Sequence, residues 1–313
     1  MNRMEMFLTI ISWLLLLVMV LVSVAFFTLL ERKILGYIQL RKGPNKVSIK
    51  GMMQPFNDAI KLFCKEYLMI YMSNSYFFFF MPGLNMLLSL LIWVVIPFKN
   101  LLFNFNYSLL FMFSCMSVVI YTIILMSWSS NSKYSMLGGL RSMAQVISYE
   151  VSLMLIILVL MFFVMKFNFM KFSEYQKFLY FIWLFFPLFM CLFMSFLAET
   201  NRAPMDFVEG ESELVSGFNV EYGGGLFALI FLAEYMSILF FCIFLSFLFL
   251  GSIDFIFFYF KSFLLIFLVI WIRGVMPRYR YDKLMDLCWK VFLPLSLNYL
   301  IFILMVVIYC YFN

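Results

Sequence analysis

Twenty-five consecutive residues, Met6 to Leu30, pass without a charge before Glu31-Arg32-Lys33 ends the run. A stretch that long and apolar can cross a bilayer, since about 20 residues at 1.5 Å each span a 30 Å hydrocarbon core. Charge clusters divide the chain into eight such segments. The expected fold class is therefore an all-α integral membrane protein, a bundle of eight transmembrane helices in a single membrane domain over residues 1–313. The expected spans are about 6–30, 76–98, 105–128, 144–165, 178–198, 226–250, 255–273 and 291–312. Pro187 should kink the fifth, which a packed bundle tolerates. The seventh is weakest, because eleven residues separate Lys261 from Arg273; Lys261 is expected to snorkel to the interface. Charged residues make up 12% of the chain and the mean hydropathy is +1.03. A soluble domain carries about 25% charged residues, so an ordinary soluble fold is excluded.

Loop charge orients the array. Of 22 Lys and Arg, eight lie in 31–75, two in 128–145, one at Arg202 and five in 273–290, all in loops that follow odd-numbered spans. The positive-inside rule puts those loops on the cytoplasmic side or its mitochondrial equivalent, the matrix, with both termini opposite. The formal net charge of +6 is then loop bias and needs no nucleic acid. Met1–Glu5 and the long run after it read as a retained first helix rather than a cleaved signal. Phe (44) and Met (26) are inflated while Ala occurs seven times, which fits coding by an AT-rich genome such as invertebrate mitochondrial DNA.

Several chemistries are missing. There is no histidine, so His-dependent zinc sites and His-ligated haem are excluded. The six cysteines form no C-x-x-C pair, which argues against an iron–sulfur site, a Cys-only zinc site or a disulfide framework. No P-loop or G-x-G-x-x-G fingerprint occurs. Any redox or phosphate chemistry must sit on another chain, and no cofactor or metal is expected on this one.

The polar segments carry the information. In 54–66, Phe56, Ile60, Phe63, Cys64 and Tyr67 recur at helical spacing, with Asn57, Asp58, Lys61 and Lys65 on the other side. Such a helix would lie in the membrane interface, either as a surface anchor or as the doorway for a lipid-soluble ligand. Residues 198–222 gather six carboxylates, Glu199, Asp206, Glu209, Glu211, Glu213 and Glu221, offset locally by Arg202. Phe207, Val208, Leu214, Val215, Phe218 and Val220 are interleaved and would not be left in water. The expectation is a loop folded back into a protein cavity with its carboxylates crowded together, as groups that exchange protons near neutral pH require. Glu150 and Glu234 stand inside spans four and six, where a charge costs about 2.5–3.5 kcal/mol, so each should face a polar path or a partner. Tyr149 and Tyr235 adjoin them, but adjacent helical residues point in different directions and need not pair.

Together E-R-K-I-L-G-Y at 31–37, Q-P-F-N-D-A-I-K-L-F-C-K-E at 54–66, Q-V-I-S-Y-E-V at 145–151, A-E-T-N-R-A-P-M-D at 198–206, E-G-E-S-E-L-V-S-G-F-N-V-E-Y at 209–222 and P-R-Y-R-Y-D-K-L-M at 277–285 are distinctive. The chain resembles the chain 1 family of respiratory complex I, NADH:ubiquinone oxidoreductase, which has mitochondrial and bacterial members. Ala203, Met205 and the glycine run 223–225 depart from the family pattern. The resemblance implies a subunit in the mitochondrial inner membrane, bound to other subunits of the peripheral and membrane arms and to lipids. It implies ubiquinone as substrate, with FMN and iron–sulfur clusters on partner subunits and no complete active site here. Residues matching the quinone chamber and its entrance are Glu31, Arg32, Phe56, Asp58, Glu66, Asp206, Arg273 and Arg278. The implied proton path is Glu150, Glu199, Glu209, Glu211, Glu213, Glu221 and Glu234. Two other classes compete. A self-contained transporter would show inverted repeats and matched broken helices, which are not visible; a passive scaffold would gain nothing from carboxylates inside helices.

Overall fold

The computed structural model describes residues 3–67, 70–97, 105–206, 217–251 and 255–312. Twelve α-helices and no strand lie among them: α1 Arg3–Ile38, α2 Gln54–Cys64, α3 Ser75–Ile92, α4 Ser108–Ser129, α5 Lys133–Val164, α6 Phe169–Tyr175, α7 Phe181–Leu184, α8 Phe186–Glu199, α9 Gly224–Leu245, α10 Phe255–Val275, α11 Tyr281–Leu287 and α12 Leu293–Phe312. Seven described helical segments are long and apolar enough to cross a membrane.

The helix ends correct several expected boundaries. Charge ends a membrane-buried stretch but not a helix, because Glu, Arg and Lys are good helix formers. So α1 continues through Glu31-Arg32-Lys33 to Ile38, and α5 starts at Lys133, eleven residues before the expected 144. The eighth span likewise begins early: α11, a π-helical turn over Cys288–Phe292 and α12 form one continuous apolar segment, Tyr281–Cys310. The fifth span departs most. Instead of a helix kinked at Pro187, the chain breaks at Phe185 and starts afresh, with Pro187 in the first turn of α8. Proline fits there because its missing N–H falls on a donor the helix leaves unpaired anyway. The fourteen residues of α8 rise about 21 Å, short of a 30 Å core.

Rings fill much of the interior. Phe196 stacks on Phe241 at 4.4 Å, and Phe244 meets Phe196 edge-on at 5.6 Å and Phe169 at 5.3 Å. Hydroxyls inside the helices are satisfied locally: Ser89, Ser127, Ser152, Ser195 and Ser262 each donate to the carbonyl three residues earlier. That suits a medium offering no water. At the end of α9 a second π-helical turn, Ser246–Leu250, leaves carbonyls to be satisfied. Gln176 Nε2 donates to Phe247 O (3.2 Å) and Leu248 O (2.7 Å), and Lys261 Nζ to Leu250 O at 2.6 Å. Lys261 also lies 4.1 Å above the Tyr180 ring. Its ammonium is thus held by a carbonyl freed at the end of the π-helical turn.

Of the apolar residues expected to leave water in the loop before α9, Phe218 is buried and Val220 is exposed, while Phe207, Val208, Leu214 and Val215 lie outside the described residues. Phe218 and Tyr222 belong to a small core with Phe78, Met126 and Ile230, and the Tyr222 ring stacks flat on Phe78 at 4.3 Å. Gly138 makes this possible, since a Cβ there would come within 2.9 Å of the Phe218 nitrogen. Burial pushes the Tyr222 phenol up to about 12, only partly opposed by its contact with Ser129. Gly224, at φ +61°, starts α9 directly against the carbonyls of Leu62, Lys65 and Glu66 at the end of α2.

Candidate functional site

The extension of α1 carries Glu31 into the protein, where it is 6% exposed. Three elements converge on it. Tyr235 of α9 donates its hydroxyl to Glu31 Oε2 at 2.7 Å, and Arg273 at the end of α10 hydrogen-bonds Oε1. Arg202, just past α8, places Nη1 3.7 Å from the same oxygen and its guanidinium 4.4 Å over the Tyr235 ring. A carboxylate surrounded this way is held in place, because charge-assisted bonds replace its lost hydration. The resemblance implied Glu31 and Arg273 as separate members of the chamber list, and the structure joins them. It adds Arg202, read from sequence only as a local offset, and Tyr235, not singled out as a site residue. The one sequence hint to Tyr235 is its place on the wall of α9 beside Glu234.

An apolar cleft opens beneath this cluster along the same three helices. It encloses about 550 Å³ and is lined by Leu16 and Val20 of α1, Leu239 and Ile243 of α9, and Phe263 and Ile266 of α10. The amphipathic helix expected from the 54–66 pattern forms as α2, beside α1 and α9. Arg32 of α1 pairs with Asp58 of α2, which also accepts from Gln54 Nε2 at 2.9 Å. Phe56 meets Phe26 edge-on at 6.1 Å. The outer face of α2, with Ile60 and Phe63, is uncovered. Glu66 lies exposed beyond α2 and shares no ion pair among the described residues.

The second cluster centres on α5 and the turn after α8. Glu150 and Glu199 interact electrostatically with each other, and one oxygen of each is sealed from solvent without a hydrogen-bond partner. The α8 helix ends in a Schellman motif: Arg202 N donates to Leu197 O (3.1 Å) and Asn201 N to Ala198 O (3.2 Å), with Asn201 left-handed at φ 50°. Gln145 Nε2 donates to Ala198 O (2.8 Å) and Met205 O (2.9 Å). Further on, Asp206 stands 3.5 Å from Arg278, and Tyr279 N donates to Pro204 O at 3.0 Å. Tyr149 turns away from Glu150 and donates to Leu284 O at 3.0 Å, so neither tyrosine pairs with its neighbouring glutamate. Glu234 is half-buried on α9, and Glu221 half-buried before it. Glu209, Glu211 and Glu213 lie outside the described residues.

These features define a polytopic helical membrane protein with an ion-paired carboxylate above a greasy cleft and two further half-buried carboxyl groups, each with one sealed oxygen. The family model described as NADH dehydrogenase matches residues 11–304. Curated relatives called NADH-ubiquinone oxidoreductase chain 1 are similar along nearly the whole chain. The Aedes aegypti protein is 56% identical over 307 residues (98% of each chain), that of Locusta migratoria 54% over 300 residues (95% of each), and that of Apis mellifera ligustica 46% over 297 residues (94% of this chain, 96% of the other). The chain belongs to this NADH dehydrogenase family, whose members are membrane subunits of an oxidoreductase complex.

Proposed function

We propose that this chain, within respiratory complex I, forms the membrane end of a ubiquinone-binding chamber and couples quinone reduction to proton translocation through buried glutamates. The observation that carries this reading is the contrast between Glu31, held by two guanidinium groups and a phenol, and the Glu150–Glu199 pair, whose buried oxygens find no donor. Reducing a quinone to a quinol takes two electrons and two protons. The electrons come from NADH through FMN and iron–sulfur clusters on partner subunits. This chain's part is to admit and hold the quinone and to move protons.

The apolar cleft between α1, α9 and α10 suits an isoprenoid tail, and the uncovered face of α2 suits a position in the membrane interface. Glu31, Arg32, Phe56, Asp58, Glu66, Asp206, Arg273 and Arg278 line the chamber and its entrance. A change of charge in the chamber acts on the turn after α8, which contributes Arg202 to one cluster and Glu199 to the other. Glu150, Glu199, Glu209, Glu211, Glu213, Glu221 and Glu234 carry the proton onward. In this reading the chain lies in the mitochondrial inner membrane, with odd loops in the matrix and both termini facing the intermembrane space. Membrane lipids and other complex I subunits cover its apolar surfaces.

The test is Glu150→Gln and Glu199→Gln in the assembled complex, reconstituted in vesicles. NADH:quinone reductase rate and proton uptake should both fall, while the amount of complex, read from its NADH:ferricyanide activity, holds. Wild-type rates and proton-to-electron ratio in both variants would leave only a scaffold role.

A further inference from the structure

The turn of residues 199–202 belongs to both clusters at once. Its first residue, Glu199, keeps a sealed oxygen without a partner, as Glu150 does on α5; its last, Arg202, lies against Glu31 and Tyr235. The position of that turn therefore sets both arrangements together. Its backbone is not anchored by the Schellman motif alone. The fully buried Gln145 reaches across from α5 and uses a single nitrogen, Nε2, to donate to two carbonyls seven residues apart, Ala198 O and Met205 O. We infer that Gln145 is a positioning residue for proton coupling: its amide clamps the Ala198–Met205 turn so that Glu199 and Arg202 keep their separate partners.

The chemistry leaves few substitutes. A primary amide carries two N–H donors on one nitrogen, and both are used here. Leucine or methionine has none, and a shorter amide starts one carbon further from the two carbonyls. Gln145 and Glu150 lie on the same helix, so the clamp also ties the turn to the element that carries the other half of the carboxyl pair. Met205 O closes the far side, next to Asp206, which pairs with Arg278. Losing the clamp frees the turn without removing any charged or titratable group.

This inference rests on the proposed role of Glu199, and its test separates the two. Gln145→Met, Gln145→Asn and Glu199→Gln are made in the full chain and studied in the assembled complex. Gln145→Met should lower kcat for NADH:quinone reduction about tenfold, the loss of two buried hydrogen bonds of ordinary strength, with the quinone KM within about twofold. Gln145→Asn keeps an amide and should recover part of the lost rate. Hydrogen exchange of the 196–205 backbone amides should accelerate about tenfold in Gln145→Met, as the clamp opens locally. An unchanged exchange rate overturns the clamp whatever Glu199 does. Faster exchange with unchanged kcat, beside a slowed Glu199→Gln, overturns the positioning role and leaves the proton path standing. If Glu199→Gln behaves as wild type, the proton path fails, and a fall in kcat on Gln145→Met then overturns the inference as well, because the effect would not pass through Glu199. Loss of kcat and KM together, without rescue by asparagine, would reduce Gln145 to ordinary packing.

Discussion

Glu31 is buried and Glu199 is half-buried with one oxygen sealed from solvent, and the protein treats them in opposite ways. Glu31 is met by Arg273, Arg202 and the Tyr235 hydroxyl, groups delivered by three different elements. Glu199 is met by another acid, Glu150, and each keeps a sealed oxygen with no donor. Removing charge from water is costly unless it is paired or neutralised. The first carboxyl is supplied with counter-charges and a donor, and the second is not. The comparison teaches that burial of an acid says little by itself; what surrounds it decides what it can do.

The largest expected effect breaks the first cluster. Glu31→Ala leaves two guanidinium groups without their counter-charge, which costs about 3–5 kcal/mol when a buried pair is broken. The amount of assembled complex on native gels should drop sharply, and normal amounts would show that Glu31 is not the anchor described here. Next comes Tyr235→Phe, which removes one hydrogen bond to a buried charge, about 1.5–3 kcal/mol. It should lower the thermal midpoint of the complex while the ion pair to Arg273 survives. Glu199→Gln should behave differently in kind: the isostere keeps assembly, and turnover falls about tenfold, a barrier increase of about 1.4 kcal/mol. Should this variant instead fail to assemble, the pair would be a structural feature like Glu31 and the contrast would disappear. Smallest is Arg32→Ala. Its pair with Asp58 is open to solvent, with half of the arginine side chain exposed, so the expected loss is about 0–1 kcal/mol. Thermal unfolding of the complex would resolve that from the Tyr235→Phe shift.

Patterns that depend on local geometry were legible in the sequence. The apolar spacing of Phe56, Ile60 and Phe63 predicted α2, and the roughly 100° between adjacent helical side chains gave no reason to pair Tyr149 and Tyr235 with their neighbouring glutamates; both hydroxyls bond elsewhere. The family motifs named Glu31 and Arg273 as chamber residues, but neither they nor spacing paired the two; the fold does. Arg202 was hidden because its partners, Glu31 and Tyr235, are far away in the chain, and no periodicity links them. The end of α1 and the starts of α5 and α8 lie away from the expected span limits for another reason. Hydropathy reports where side chains leave lipid, whereas a helix begins and stops where the backbone turns, as at Leu40 (φ 55°) after α1.

The abundance of phenylalanine has a consequence for how this protein tolerates change. Helices in membranes commonly touch through small residues that let their backbones approach closely. Here, interlocking rings such as Phe196, Phe241 and Phe244 hold several neighbours apart. Exchanges among bulky apolar side chains at those contacts cost little when volume is conserved, so drifting base composition can rewrite much of the lining without rebuilding the bundle. The few close approaches are the rigid points. A side chain at Gly138 would strike the backbone beside Phe218, and there the genetic text has no synonyms.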